Sequence, residues 1–137
     1  MLLRLIILII FCAIMYATYR IVINWQLSRA GTLKDLDPIL SETNVLISTI
    51  VYFTTPMCAI CRSTQRPAFD RLQAKMEAVN IVKVDSTENP DGAKRWGVIS
   101  VPTTFVLGRN GKPNKVNNGF VDENKLLAQL STAHGKS

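Results

Sequence analysis

Two of the three cysteines in the sequence, Cys58 and Cys61, lie in the run YFTTPMCAICRSTQRP, Tyr52 to Pro67, with two residues between them. Such a pair can be half of a tetrahedral metal site, a structural disulfide, or a dithiol that opens and closes during redox chemistry. A zinc site needs four ligands, normally two such pairs or one pair with added histidines. The sequence offers only Cys12, inside an apolar run, and the single histidine, His134, near the C-terminus. No metal is expected on that account, and the elements around the pair bear on the other two readings.

Upstream, NVLISTIVYF, Asn44 to Phe53, is nearly continuous in β-branched and aromatic residues, which suits a strand buried on both faces. The run breaks at Thr54, Thr55 and Pro56. Helical spacing then takes over from Cys58 to Val79, with Ala68, Leu72, Met76 and Val79 on one face. IVKVD, Ile81 to Asp85, reads as a second strand, followed by a short helix from about Asn89 to Gly97. VPTTFVLG, Val101 to Gly108, reads as a third strand, and RNGK, Arg109 to Lys112, as an Asn-Gly hairpin turn into NKVNNGFV. DENKLLAQLSTA, Asp122 to Ala133, closes the domain as a helix capped by Asp122, with Leu126, Leu127 and Leu130 toward the sheet. Strands alternating with helices imply a parallel crossover, and the hairpin adds an antiparallel pair. The fold class is therefore α/β.

That order, with CAIC opening the first helix, VKVDSTENP after the second strand, WGVISVPTTFVL carrying Pro102 and NNGF in the hairpin, resembles the thioredoxin family. The resemblance covers Val45 to about Ala133. It implies a thioredoxin-like fold, a central mixed sheet of four to five strands flanked by helices, and a redox-active Cys58–Cys61 disulfide with no further cofactor. Unpaired N–H groups at the helix start favour a Cys58 thiolate, the nucleophile, while Cys61 one turn further in is the resolving thiol. By the same resemblance Pro102 is cis and faces the CxxC turn, Val101 offers its backbone to an extended substrate, and Met57 and Gly119 belong to the substrate-facing surface. Lys83 matches a lysine near the buried side of the site, Gly111 the hairpin glycine, and Trp96 is read as a packing residue.

The chain also departs from the family pattern. Met57 replaces a tryptophan before the first cysteine, and Ala59 and Ile60 replace the Gly-Pro that tunes redox potential. Tyr52 stands where a buried aspartate helps to move the proton of the resolving thiol; a phenol cannot serve as a base at neutral pH, though its hydroxyl can order a hydrogen bond. Pro67 lies one position later than the family's helix proline.

LIILIIFCAIMYATY, Leu5 to Tyr19, is an uncharged run that spans only about 22 Å as a helix, against a ~30 Å hydrocarbon core. Leu2 and Leu3 before Arg4, and Ile21 to Ile23 after Arg20, extend it, because both arginines can snorkel. Trp25 suits the membrane interface. The reading is a single uncleaved transmembrane anchor at residues 1–24, in contact with the lipid bilayer through residues 2–24, rather than a signal peptide, since no small-x-small cleavage pattern follows the run. Residues 25–43 read as a juxtamembrane linker with a short helical turn at Leu36, Ile39 and Leu40, residues 44–133 as the thioredoxin-like domain, and 134–137 as a loose tail.

The net charge of +6 is spread along the chain, which describes a solvated surface and no nucleic-acid site. The expected function is a membrane-tethered thiol-disulfide oxidoreductase, working as a reductase on disulfide-containing protein substrates and served by an external electron donor. The soluble domain is placed on the extracytoplasmic side, although the charges flanking the span do not fix its orientation. Alternatives are a thiol oxidase, a cytoplasm-facing reductase, or a tethered peptide-binding module without turnover.

Overall fold

The apolar run upstream of the cysteines forms β1 (Ser48–Thr54). β1 pairs in parallel with β2 (Val79–Asp85) and antiparallel with β3 (Thr103–Leu107), which pairs antiparallel with β4 (Pro113–Asn118). The resulting mixed sheet has four strands in the order β2-β1-β3-β4. The structure, a computed structural model, describes residues 1–31, 37–41, 43–44 and 47–135.

Side chains alternate across a strand, so a strand covered on both faces must be apolar throughout. Ile50 and Tyr52 of β1 enter one core cluster, beneath α2 (Arg66–Lys75) and α4 (Glu123–Gly135), with Phe69, Leu72, Val106, Leu126 and Leu130. Val51 and Phe53 enter the other, with Phe105, Leu107, Trp96 and Ala30, closed by α3 (Pro90–Arg95) and by the end of α1 (Leu2–Gly31). Trp96 is fully buried, stacks edge-on against Phe105 and donates Nε1–H to Asp37 at 2.8 Å, so it packs the core as expected.

The expected Asp122 cap forms, and Asn89, expected only as the start of the short helix, caps it as well. Asn89 accepts the Gly92 N–H at 2.8 Å at the start of α3, and Asp122 accepts the Asn124 and Lys125 N–H groups at 2.9 Å at the start of α4.

Several boundaries differ from the sequence reading. The helix expected to reach Val79 ends at Lys75; Met76 is extended, and Val79 is already paired with Ser48 in β2. Parallel pairing with β1 therefore prevails over helical spacing that would have continued to Val79. β1 begins at Ser48 rather than Asn44, with Val45 and Leu46 outside the described residues.

The largest difference concerns the expected linker at 25–43. α1 continues as one helix to Gly31, with Gln26 and Ala30 buried. No glycine or proline interrupts residues 24–30, and the polar Gln26 finds its partners on the domain instead of in water. Ile39 and Leu40 pack on the second cluster, while Leu36 of the expected turn lies outside the described residues. The tail read as loose is helical through His134 to Gly135; residues 136–137 lie outside the described set.

Candidate active site

β1 delivers the chain to a tight turn in which the Cys58 N–H donates to the Thr55 carbonyl at 3.1 Å. Helical structure begins at Ala59. Cys58 is half-buried at this start and Cys61 is 3% exposed; the two are joined in a disulfide with Cα atoms 5.3 Å apart. The Cys61 backbone N–H also donates to Cys58 Sγ at 3.2 Å. The outer sulfur thus faces a free helix N-terminus, which stabilises negative charge there, whereas the inner sulfur sits in the apolar cluster with Tyr52 and Phe69.

The helix then passes through a π-helical turn, Cys61–Gln65, before α2, with the Arg66 N–H reaching back to the Cys61 carbonyl. Pro67 has no N–H to donate, so the ladder loosens immediately before it. The wide turn takes up the one residue by which Pro67 is displaced, and the downstream face of α2 keeps Ala68 and Leu72 buried.

Across the sheet end, the Val101–Pro102 peptide is cis. Val101 is half-buried against the same cluster as Cys58, and Pro102 is buried. The Gly119 N–H donates to the Pro102 carbonyl at 2.8 Å, and Gly119 has φ +95°, a conformation that favours glycine. Gly119 therefore borders the Pro102 loop. Gly111, with φ +71°, serves the hairpin turn at the far end of the sheet. Met57, 88% exposed, stands with Ala59 and Ile60 on the open side of the turn.

Behind Cys61 lies a cleft of about 510 Å³ bordered by Tyr52, Cys61, Phe69, Lys83 and Asp85. Tyr52 and Lys83 are register partners on β1 and β2, Lys83 being exposed. Burial raises the Tyr52 phenol above its ordinary value of 10.0, and its ring meets Phe69 edge-on at 4.8 Å. It is a neutral hydroxyl at physiological pH. Asp85 is held below the ordinary carboxylate value by the Thr87 hydroxyl and N–H, at 2.6 and 2.8 Å. The carboxylates of this cleft are thus Asp85 and Asp70 on its walls, not a residue of β1.

Gln65 was not singled out from the sequence. Its buried amide donates to the Val121 carbonyl at 2.9 Å and accepts the Val121 N–H at 3.0 Å, fastening the π turn to the segment after Gly119. A polar residue in line with the apolar face of Cys61, Ala68 and Leu72 was its only signal.

The family model for thioredoxin matches residues 32–132. The chain belongs to the thioredoxin family. The match starts ahead of the strand region where the motifs begin and takes in Ile39 and Leu40, which pack on the second cluster. Similar thioredoxins include that of Synechocystis sp., 34% identical over 77% of this chain and 92% of its own length. That of Bacillus subtilis is 33% identical over 60% of this chain and 77% of its own. Among solved structures, the reduced desulfothioredoxin of Desulfovibrio vulgaris Hildenborough aligns with a TM-score of 0.54 at 31% identity, over 64% of this chain and 82% of that one. As a thioredoxin with a closed Cys58–Cys61 pair, the chain is a disulfide oxidoreductase, and the fold implies disulfide-containing proteins as its substrates.

Proposed function

We propose that this thioredoxin is a membrane-tethered protein-disulfide reductase, with Cys58 as nucleophile and Cys61 as resolving thiol. The observation that carries the roles is the asymmetry of the pair: Cys58 Sγ accepts an N–H at a helix start, while Cys61 is buried. In the reduced protein, the Cys58 thiolate attacks one sulfur of a substrate disulfide, and the other substrate sulfur leaves as a thiolate. Cys61 gives its proton to water and attacks Cys58 Sγ, expelling the second substrate thiolate and closing Cys58–Cys61. Two electrons pass to the substrate, and an external dithiol returns them.

Val101 and Pro102 border the groove for an extended substrate, with Met57 and Gly119 at its rim. Ala59 and Ile60 tune the potential, while Tyr52 and Lys83 shape the cleft behind the resolving thiol. Reduction is favoured over oxidation because α3 alone separates β2 from β3, without an inserted helical domain of the kind dedicated oxidases carry.

Tethering rests on α1. It is long and apolar enough to cross a membrane, and its most apolar stretch has a mean hydropathy of 2.4 with none of it buried. On this reading the domain stands on the extracytoplasmic side, supported by the short basic N-terminus before the apolar run, the pattern of a signal-anchor that sends the following domain outward.

Reduction of insulin by the full chain in detergent micelles, with dithiothreitol as donor, tests the redox reading. Activity lost in Cys58→Ser is the expected outcome, and full activity in that variant contradicts it.

A further inference from the structure

The docked end of α1 defines which pole of the domain meets the membrane. β1 runs from Ser48 toward the cysteines, and Phe53, Thr103 and Asn118 form the rung of the sheet nearest the CxxC turn and the Pro102 loop. Gln26 is bound at this rung. Its Nε2 donates to Asn118 Oδ1 at 3.1 Å and to the Gly97 carbonyl at 3.0 Å, and Asn118 Nδ2 donates back to Gln26 Oε1 at 2.8 Å. Thr103, the residue after Pro102, donates its hydroxyl to the Ser100 carbonyl at 2.6 Å, and that hydroxyl lies 3.3 Å from the same Asn118 oxygen.

After Gln26, Ala30 is buried in the second core cluster with Leu27 packed against it; before Gln26, Ile23 also packs there, and residues 2–21 of α1 are all exposed. The helix before Gln26 therefore leaves the domain past the cysteine pole. Its 20 exposed residues from Leu2 to Ile21 extend about 30 Å, matching a ~30 Å hydrocarbon core. Trp25, an interfacial residue type, lies against Gly97, where an added Cβ would come within 3.3 Å of its ring. Two residues on, Ile99 is 65% exposed.

Outside α1, the large exposed apolar side chains among the described residues are Met57, Ile60, Ile99 and Phe120. All four lie in segments that flank the cysteine turn, the Pro102 loop or the end of β4. An apolar lip beside the exit of a membrane helix matches an interfacial lipid surface.

We propose that the cysteine pole faces the bilayer, with Ile99 seated in the headgroup layer, so that the substrates are disulfides of membrane proteins close to the membrane surface. The inference rests on the tethered reading of α1. The two-amide lock at Gln26 makes α1 a rigid strut rather than a flexible leash, and holds Cys58 at one height above the lipid.

The test uses the full chain in vesicles of phosphatidylcholine and phosphatidylglycerol. Photoreactive p-benzoylphenylalanine (Bpa) is placed at the pole as Ile99→Bpa or the near-isosteric Phe120→Bpa, and at the opposite hairpin turn as Asn110→Bpa. Flotation of the protein with vesicles after alkaline carbonate is read first, and its failure overturns the tether and this inference with it. With flotation intact, severalfold stronger lipid crosslinking from position 99 or 120 than from 110 is the expected result. Equal or stronger crosslinking from 110 overturns the orientation while leaving the tether standing.

Discussion

On one face of β1, Ile50 and Tyr52 meet Phe69, Leu72, Leu126 and Leu130, with Cys61 in the same cluster; on the other, Val51 and Phe53 meet Trp96, Phe105 and Ala30. The first face is sealed by two helices of the domain and carries the resolving cysteine. The second is sealed partly by a helix that also runs far outside the domain, fixed by the bonds of the buried Gln26 amide to Asn118 and the Gly97 carbonyl. Chemistry and attachment are thus separated by one sheet, and the Pro102 loop lies where they meet, since Val101 touches both clusters.

Changes on the second face are expected to act on stability, with activity falling only as the fold is lost. Trp96→Ala has the largest effect, about 3–5 kcal/mol from a fully buried indole, with Asp37 losing one donor while keeping Arg95 and the Ile39 N–H, read by chemical denaturation. Gln26→Ala leaves the Gly97 carbonyl short of a buried partner, while the exposed Asn118 turns to water, and costs about 1–3 kcal/mol, read the same way; an unchanged midpoint would mean that α1 is not locked on the domain.

On the first face the effect is expected in rate. Tyr52→Asp places a carboxyl in a buried site beside Cys61, where desolvation raises its pKa toward neutrality and fits it to take the resolving proton. Single-turnover thiol-disulfide exchange should rise by about tenfold, equivalent to ~1.4 kcal/mol, with a new ionisation in the pH-rate profile. The acceleration appears as pH rises through the carboxyl pKa, because only the ionised form accepts a proton. A profile identical to that of the unaltered protein would show that proton loss from Cys61 to water does not limit the exchange.

Much of the first face was legible from local signals. The apolar run of β1, the Asp122 cap and the cysteine pair each declare themselves within a few residues, and Pro102 through the motif around it. The second face was less legible because its decisive contacts are remote. Gln26 bonds partners 71 and 92 residues away, so Asn24, Gln26 and Ser28 read as a polar linker although they continue a helix. Gln65 escaped for the same reason, its partner Val121 being 56 residues distant. Helical periodicity also overran at Val79, where strand pairing with Ser48 decides the conformation.

The central claim is that Cys58 attacks and Cys61 resolves. Full-length Cys61→Ser protein, incubated with a disulfide-containing protein and mapped by peptide mass spectrometry, tests it most directly. A mixed disulfide accumulating at Cys58, and removed by dithiothreitol, is the predicted result. The claim is contradicted if Cys61→Ser still turns over substrate at the full rate without forming an adduct.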